Sequence, residues 1–280
     1  MPASRGGRGA QGRSPGQGSD LLRRILVAIP AAVVAVLFID LGGLAFALFM
    51  IAVGWACLHE LYRMLARWHP VAIVGFASVA AMVLSARHGG ERDIVLVAAA
   101  TVPVLFLFVA GRGQGRHSVA IAGTLLGVYW IGMAVTLAVL LRQLPHGKGV
   151  LIDVLLGTFL GDTAAYLGGR MFGRRLLAPT ISPRKTVEGL LIGSLTAVVT
   201  VLLARLFQEN WLTQGHALLL GVTVAVFAPL GDLFESVIKR DAGAKDTGRA
   251  FGPHGGVLDR ADAALFTMSA AYFVWLAVGS

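Results

Sequence analysis

Apolar residues run along this chain in blocks of roughly 20, the length at which a helix crosses about 30 Å of hydrocarbon. The blocks lie near residues 22–40, 42–61, 70–87, 93–111, 118–141, 149–169, 188–207, 216–238 and 262–279. Short polar connectors separate most of them, and the first two are parted only by "IDLGG". Glycines recur inside the blocks, as expected where helices approach closely in lipid. The pattern predicts an all-α, polytopic membrane protein with about nine transmembrane helices.

Composition agrees with this reading. Of 280 residues, 56% are hydrophobic and 14% charged, whereas soluble domains carry about 25% charged residues. The single cysteine, Cys57, lies in an apolar run and builds neither a disulfide framework nor a zinc site. A net charge of +9 raises the question of nucleic acid, but the basic residues form no stripe with interleaved aromatics. No nucleic-acid partner is expected. The basic residues sort by membrane side instead. With the N-terminus cytoplasmic, 19 of the 24 Lys and Arg residues fall on the cytoplasmic side, and only Arg87, Arg92, Arg142, Lys148 and Arg205 on the other. This is the asymmetry that the positive-inside rule demands. Residues 1–20, rich in Gly, Ser and Arg, read as a disordered basic cytoplasmic tail, with no A-x-A-like site for signal cleavage. Residues 21–280 read as one transmembrane domain without internal repeats.

Two cytoplasmic segments are chemically rich: "GGRMFGRRLLAPTISPRKTVEG" (168–189) and "SVIKRDAGAKDTGRAFGPHGGVLDRAD" (236–262). Asp162 and Asp232 lie inside apolar blocks, each beside a glycine; ionisable groups there are expensive and mark functional candidates. In helical geometry Asp232, Ser236 and Arg240 share a face, and Glu235 pairs with Lys239. Taken alone, Asp232 is explained as well by a structural role, an interhelical hydrogen bond or a buried ion pair, as by a functional one. Its neighbours shift the balance: Lys245-Asp246, then His254 in a Gly-rich turn, then Asp259-Arg260 and Asp262, with Asp259 and Asp262 on one helix face. Carboxylates interleaved with Lys and Arg suit a polyphosphate chelated by a hard cation, the carboxylates taking Mg²⁺ and the cationic side chains the phosphate oxygens. In "SPRKTVEG", Ser182 or Thr186 caps the following helix and Glu188 completes a capping box, which leaves Arg184 and Lys185 as a second cationic pair. There is no G-x-x-x-x-G-K-[ST] loop and no H-E-x-x-H helix.

The stretch Ser236–Asp262 resembles the signature of the phosphatidate cytidylyltransferase (CDP-diacylglycerol synthase) family: Ser, then Lys-Arg, Lys-Asp, His-Gly-Gly and Asp-Arg-x-Asp. "SPRKTVEG" and "DTAAYLGGR" look like further family segments in the expected order, so the resemblance covers about the C-terminal half, 149–280, as the catalytic half behind N-terminal spans 22–141. The chain departs from the family pattern in the order Gly252-Pro253, in Val187 where Trp is common, and in the small Ala261. None of these removes a charge.

The resemblance implies an enzyme, a nucleotidyltransferase that joins CTP and phosphatidate into CDP-diacylglycerol and pyrophosphate at the cytoplasmic face of the plasma membrane. It implies Mg²⁺, with a second, paired cation as an option, and membrane lipid as surroundings and substrate source; a homodimer stays open. Carried over residue by residue, Asp232 and Asp259 would hold metal, with Asp246 as a third acidic participant and Asp162 as a further candidate. Lys239, Arg240, Lys245 and Arg260 would contact phosphates. Ser182, Arg184 and Lys185 would complete the substrate site, and Ser236 and His254 would position it. The alternatives are a CTP-dependent polyprenol kinase, which needs a base for its hydroxyl acceptor, and an ion or anion transporter built around Asp162 and Asp232.

Overall fold

The computed structural model describes residues 30–88, 90–111, 115–244, 247–248 and 255–279. The tail expected over residues 1–20, and Lys245, Asp246 and His254 of the expected site, lie outside the described residues. The chain divides into Met1–Ala35 and Val36–Ser280. Residues 30–35 of the first unit are helical, the opening of the apolar helix Pro30–Leu41, α1.

The helices that follow are α2 (Gly43–Met64), α3 (Ala72–His88), α4 (Glu91–Ala110), α5 (His117–Gln143), α6 (Gly147–Phe172), α7 (Val187–Phe207), α8 (Gln214–Asp241) and α9 (Leu258–Val278). Seven of the helices among the described residues, α2 and α4 to α9, are long and apolar enough to cross a membrane, while α1 and α3 are shorter apolar helices. Over the described residues, each apolar block thus falls on a helix, the first from Pro30 onward. Several helices outrun their blocks at the polar end, as α8 does through Lys239 and Arg240 to Asp241. Helix hydrogen bonding continues where hydrocarbon stops, and cations in a last turn suit the helix dipole.

The apolar blocks do not anticipate the two-stranded antiparallel hairpin between α6 and α7, β1 (Leu176–Ala178) with β2 (Ser182–Thr186). It is too short and too charged to show an alternating pattern. Its polar side chains fasten it locally. Thr186 caps α7 by accepting from the Gly189 amide at 3.1 Å, and Glu188 accepts from the Arg174 and Arg175 amides at 3.0 and 3.2 Å. The cap expected at Thr186 is present, but Glu188 ties down the α6–β1 turn instead of closing a capping box.

Helix packing relies on small residues. A methyl group on Gly193 of α7 would lie 2.7 Å from the Gly161 carbonyl oxygen of α6, and one on Gly231 of α8 would lie 2.5 Å from the Asp262 carbonyl oxygen of α9. Pro229 interrupts the hydrogen bonding of α8 one turn before Asp232, and it has no N–H for the Ala225 carbonyl. The Ser194 hydroxyl of α7 donates to that carbonyl at 3.3 Å, the kind of repair by which membrane helices tolerate proline. In α5, a π-helical turn at Val128–Gly132 carries Trp130, whose ring packs edge-on against Phe234 of α8 at 4.8 Å. Such turns recur near functional sites, and Phe234 stands between Asp232 and Glu235.

Candidate active site

The polar end of α8 meets the beginning of α9. Because Gly231 lets the two backbones touch, Asp262 comes opposite Asp232 and Glu235. One carboxylate oxygen from each of Asp232, Glu235 and Asp262 lies within 4.8 Å of the others. Glu235 and Asp262 are buried, at 1% and 7% exposure, and Glu235 Oε1 is buried without a hydrogen-bond partner. An unpartnered buried carboxylate oxygen is costly unless a cation or proton answers it.

Cationic side chains ring this cluster. Lys185 of β2 forms an ion pair with Asp232, which brings the hairpin over α8. Lys239 pairs with Glu235 one turn away, as the helical spacing predicts, and its Nζ also donates to Asp259 Oδ1 at 2.9 Å. Asp259 Oδ2 accepts from the Gly256 amide at 2.7 Å, the Thr247 amide at 3.1 Å and the Thr247 hydroxyl at 2.8 Å. Gly255 has a positive φ of 88°, and a methyl there would meet Asp259 Oδ2 at 2.6 Å, so this turn around the carboxylate requires glycine.

Asp162 of α6 is exposed, yet Asp232, Lys185 and Asp262 all lie within its electrostatic reach. The structure therefore gathers Asp162, Lys185, Asp232, Lys239 and Asp259 of the expected residues into one neighbourhood. Ser236 is buried on α8. Ser182 opens β2, Arg184 is exposed beside Lys185, and Arg260 is exposed on the first turn of α9. Arg240 donates from Nε to the Ile181 carbonyl at 3.1 Å, so it anchors the hairpin.

Asp259, expected as a metal ligand, spends its oxygens on Lys239, Thr247 and Gly256, while Asp262 and Glu235 complete the cluster around Asp232. A third acidic residue, Glu60 of α2, lies at the same end and is buried at 6% exposure. Sequence reasoning passed over Glu60, although a carboxylate within the apolar block 42–61 is the same signal that singled out Asp162 and Asp232.

Chemically, the cluster offers only carboxylate oxygens, a donor set for hard divalent cations. Lys185 and Lys239 border it as donors for anionic oxygens. The chain matches the model of the Cytidylyltransferase family over residues 22–278. It is 30% identical over 263 residues to a phosphatidate cytidylyltransferase of Bacillus subtilis, covering 91% of this chain and 97% of that protein. It is 32% identical over 253 residues to a phosphatidate cytidylyltransferase of Staphylococcus aureus strain COL, covering 88% of this chain and 95% of the relative. A Staphylococcus epidermidis phosphatidate cytidylyltransferase is 30% identical over 251 residues, at the same coverages of 88% and 95%.

Proposed function

The chain belongs to the cytidylyltransferase family, and on that premise we propose how its own residues carry the family's chemistry. The enzyme is a nucleotidyltransferase: it transfers the cytidylyl group of CTP to phosphatidate, giving CDP-diacylglycerol and pyrophosphate for phospholipid synthesis. A phosphate oxygen of phosphatidate forms the new bond to the α-phosphorus of CTP as the α–β bridging bond breaks, and the electron pair leaves with pyrophosphate. A phosphomonoester is already largely ionised near neutral pH, with a second pKa of about 6, so the attacking oxygen needs no strong base. The task left to the protein is to hold two anions together and to stabilise charge on the leaving group.

The observation that carries the assignment is the convergence of Asp232, Glu235 and Asp262 with Lys185 and Lys239 paired onto it. An all-oxygen donor set with an orphaned Glu235 oxygen fits Mg²⁺, which these three carboxylates would hold, with Asp162 bordering the site. Bound there, the ion would neutralise phosphate charge and fix the polyphosphate. Lys185 and Lys239 are then placed to release their carboxylate partners and contact phosphates, and Asp259 holds Lys239 in reach. Arg184, Arg240, Arg260, Ser182 and Ser236 complete the substrate surroundings, with Lys245, Asp246 and His254 contributed from the same signature. We read the chain as nine spans with a cytoplasmic N-terminus, a reading supported by the Lys and Arg distribution, and in it the site lies on the cytoplasmic side of the plasma membrane. CTP reaches it from water there, and phosphatidate enters laterally from lipid.

The test supplies purified protein with phosphatidate, Mg²⁺ and CTP labelled at either the α- or the γ-phosphate. Transfer of the α-label to lipid with release of γ-label as pyrophosphate is expected. Appearance of γ-label in lipid would identify a kinase and overturn the reading.

A further inference from the structure

Glu60 stands near the end of α2, remote in sequence from every residue of the site, yet its carboxylate is fully engaged there. Oε1 accepts from the Val257 amide at 2.9 Å. Oε2 accepts from the Leu258 amide at 2.9 Å and from the Thr247 hydroxyl at 3.1 Å. The first two amides belong to the start of α9, whose opening N–H groups have no partners within the helix and favour an anion. The backbone is fitted to this carboxylate as well. A methyl on Gly256 would lie 2.1 Å from Glu60 Oε2, and one on Gly248 would lie 2.6 Å from Oε1, so only glycine at these two positions leaves room for the carboxylate.

What Glu60 holds is what holds Asp259. The Thr247 hydroxyl stands between the two carboxylates and shares its one proton between Asp259 Oδ2, at 2.8 Å, and Glu60 Oε2, at 3.1 Å, and the Gly256 amide beside Val257 donates to Asp259. Asp259 in turn receives Lys239, the partner of Glu235. We infer that Glu60 is a positioning residue of the active site: it grips Thr247 and the Val257–Leu258 amides so that Asp259 directs Lys239 at the acidic cluster. The N-terminal half of the chain thereby sets the geometry of a site whose other named residues all lie beyond residue 160. The inference rests on the reading of Lys239 as a phosphate contact.

Glu60→Gln keeps the shape but replaces one acceptor with an N–H₂ facing backbone N–H groups. Loss of one charged, buried hydrogen bond in the chain to Lys239 should raise the KM for CTP about ten-fold, because the phosphates meet a misdirected ammonium. A purely structural role would lower the fraction of active protein, which changes apparent kcat and leaves KM where it was. Gly256→Ala should reproduce the KM effect, and the double variant should show less than the product of the two single effects, since both act on one contact. If Glu60→Gln does not accumulate in membranes, Thr247→Val, which removes only the bridging hydroxyl, should still raise KM about three-fold. Unchanged KM in the variant that does accumulate overturns the inference. Hydrogen exchange at the Val257 and Leu258 amides, read without substrates, should quicken in Glu60→Gln; unchanged exchange also overturns it. A wild-type protein that forms no CDP-diacylglycerol would instead bring down the functional reading, and the exchange measurement would still report on the Glu60 contacts.

Discussion

Asp262 shows how position turns an ordinary acidic residue into a candidate ligand. In sequence it is the last residue of "LDRAD" and shares a helix face with Asp259. In the structure one turn of α9 separates two duties: Asp259 is satisfied by Lys239 and the Thr247–Gly256 turn, and Asp262 faces Asp232 and Glu235. Spacing could reveal the shared face but could not say which residue of α8 each would meet, because that depends on where Gly231 lets the backbones touch. Glu60 carries a visible signal, a charge inside an apolar block, but its partners were illegible for a related reason: they are backbone amides almost 200 residues away, and backbone amides leave no mark in a sequence. Asp232 was legible because a charge inside an apolar block is visible at once. The cluster predicts opposite signs for stability and function. With three carboxylates close together and metal removed by chelator, replacing Asp262, the one without a lysine partner among the ion pairs described, by a neutral isostere relieves repulsion. Asp262→Asn should therefore melt at a higher temperature than wild type in chelator, lose the stabilisation that Mg²⁺ confers on wild type, and fall about 100-fold in kcat. Asp241→Asn, at the exposed end of α8, should behave as wild type in all three. Melting curves in detergent with and without Mg²⁺, alongside turnover, check this; an Asp262→Asn protein still stabilised by Mg²⁺ would remove Asp262 from the ligand set.

At the scale of elements, hydrophobic runs made the helices readable to within a few residues at most of their ends, since a membrane-crossing helix must be long and apolar. What the runs concealed were departures from regular helix. The Val128–Gly132 π-turn uses residues indistinguishable from their neighbours, and the hairpin is shorter than any period that could betray it. Pro229 was visible but its consequence was not, because the group that answers it, Ser194, sits on another helix. Here the freed Ala225 carbonyl and the Ser194 hydroxyl form a unit two turns from Asp232. Ser194→Ala should cost about 1 kcal/mol by leaving that carbonyl without a partner. Pro229→Ala restores an N–H that can return to the Ala225 carbonyl, so Ser194→Ala should cost much less in that background. Thermal unfolding of the four proteins in one detergent measures the coupling, and equal costs of Ser194→Ala in both backgrounds would show that the hydroxyl does not substitute for the missing amide.

For the whole molecule, hydrogen bonds sort the helix ends into two polar levels. At one level Arg67 donates to the Ala242 carbonyl, Arg240 to the Ile181 carbonyl and the Val257 and Leu258 amides to Glu60. At the other, Lys148 pairs with Asp40, Arg142 donates to the Ile39 carbonyl and Trp275 to the Pro145 carbonyl. These contacts join residues far apart in sequence, so the alternation of helix direction that they express is independent of the Lys and Arg count. The count adds the sign: the level holding the acidic cluster is the one rich in basic residues, and on the positive-inside rule we propose that it is the cytoplasmic one. The native thiol, Cys57, is fully buried, which leaves the wild-type protein as a quiet background for a membrane-impermeant thiol reagent. Arg184→Cys on the exposed face of β2 should label only after the membrane is opened, whereas Lys148→Cys, at the opposite level and half exposed, should label in intact cells. Lys148 belongs to a surface ion pair of small energetic weight, so its replacement leaves the fold in place. Labelling of Arg184→Cys in intact cells, with Lys148→Cys protected, would invert the orientation and put the acidic cluster on the side of the membrane where CTP is not made.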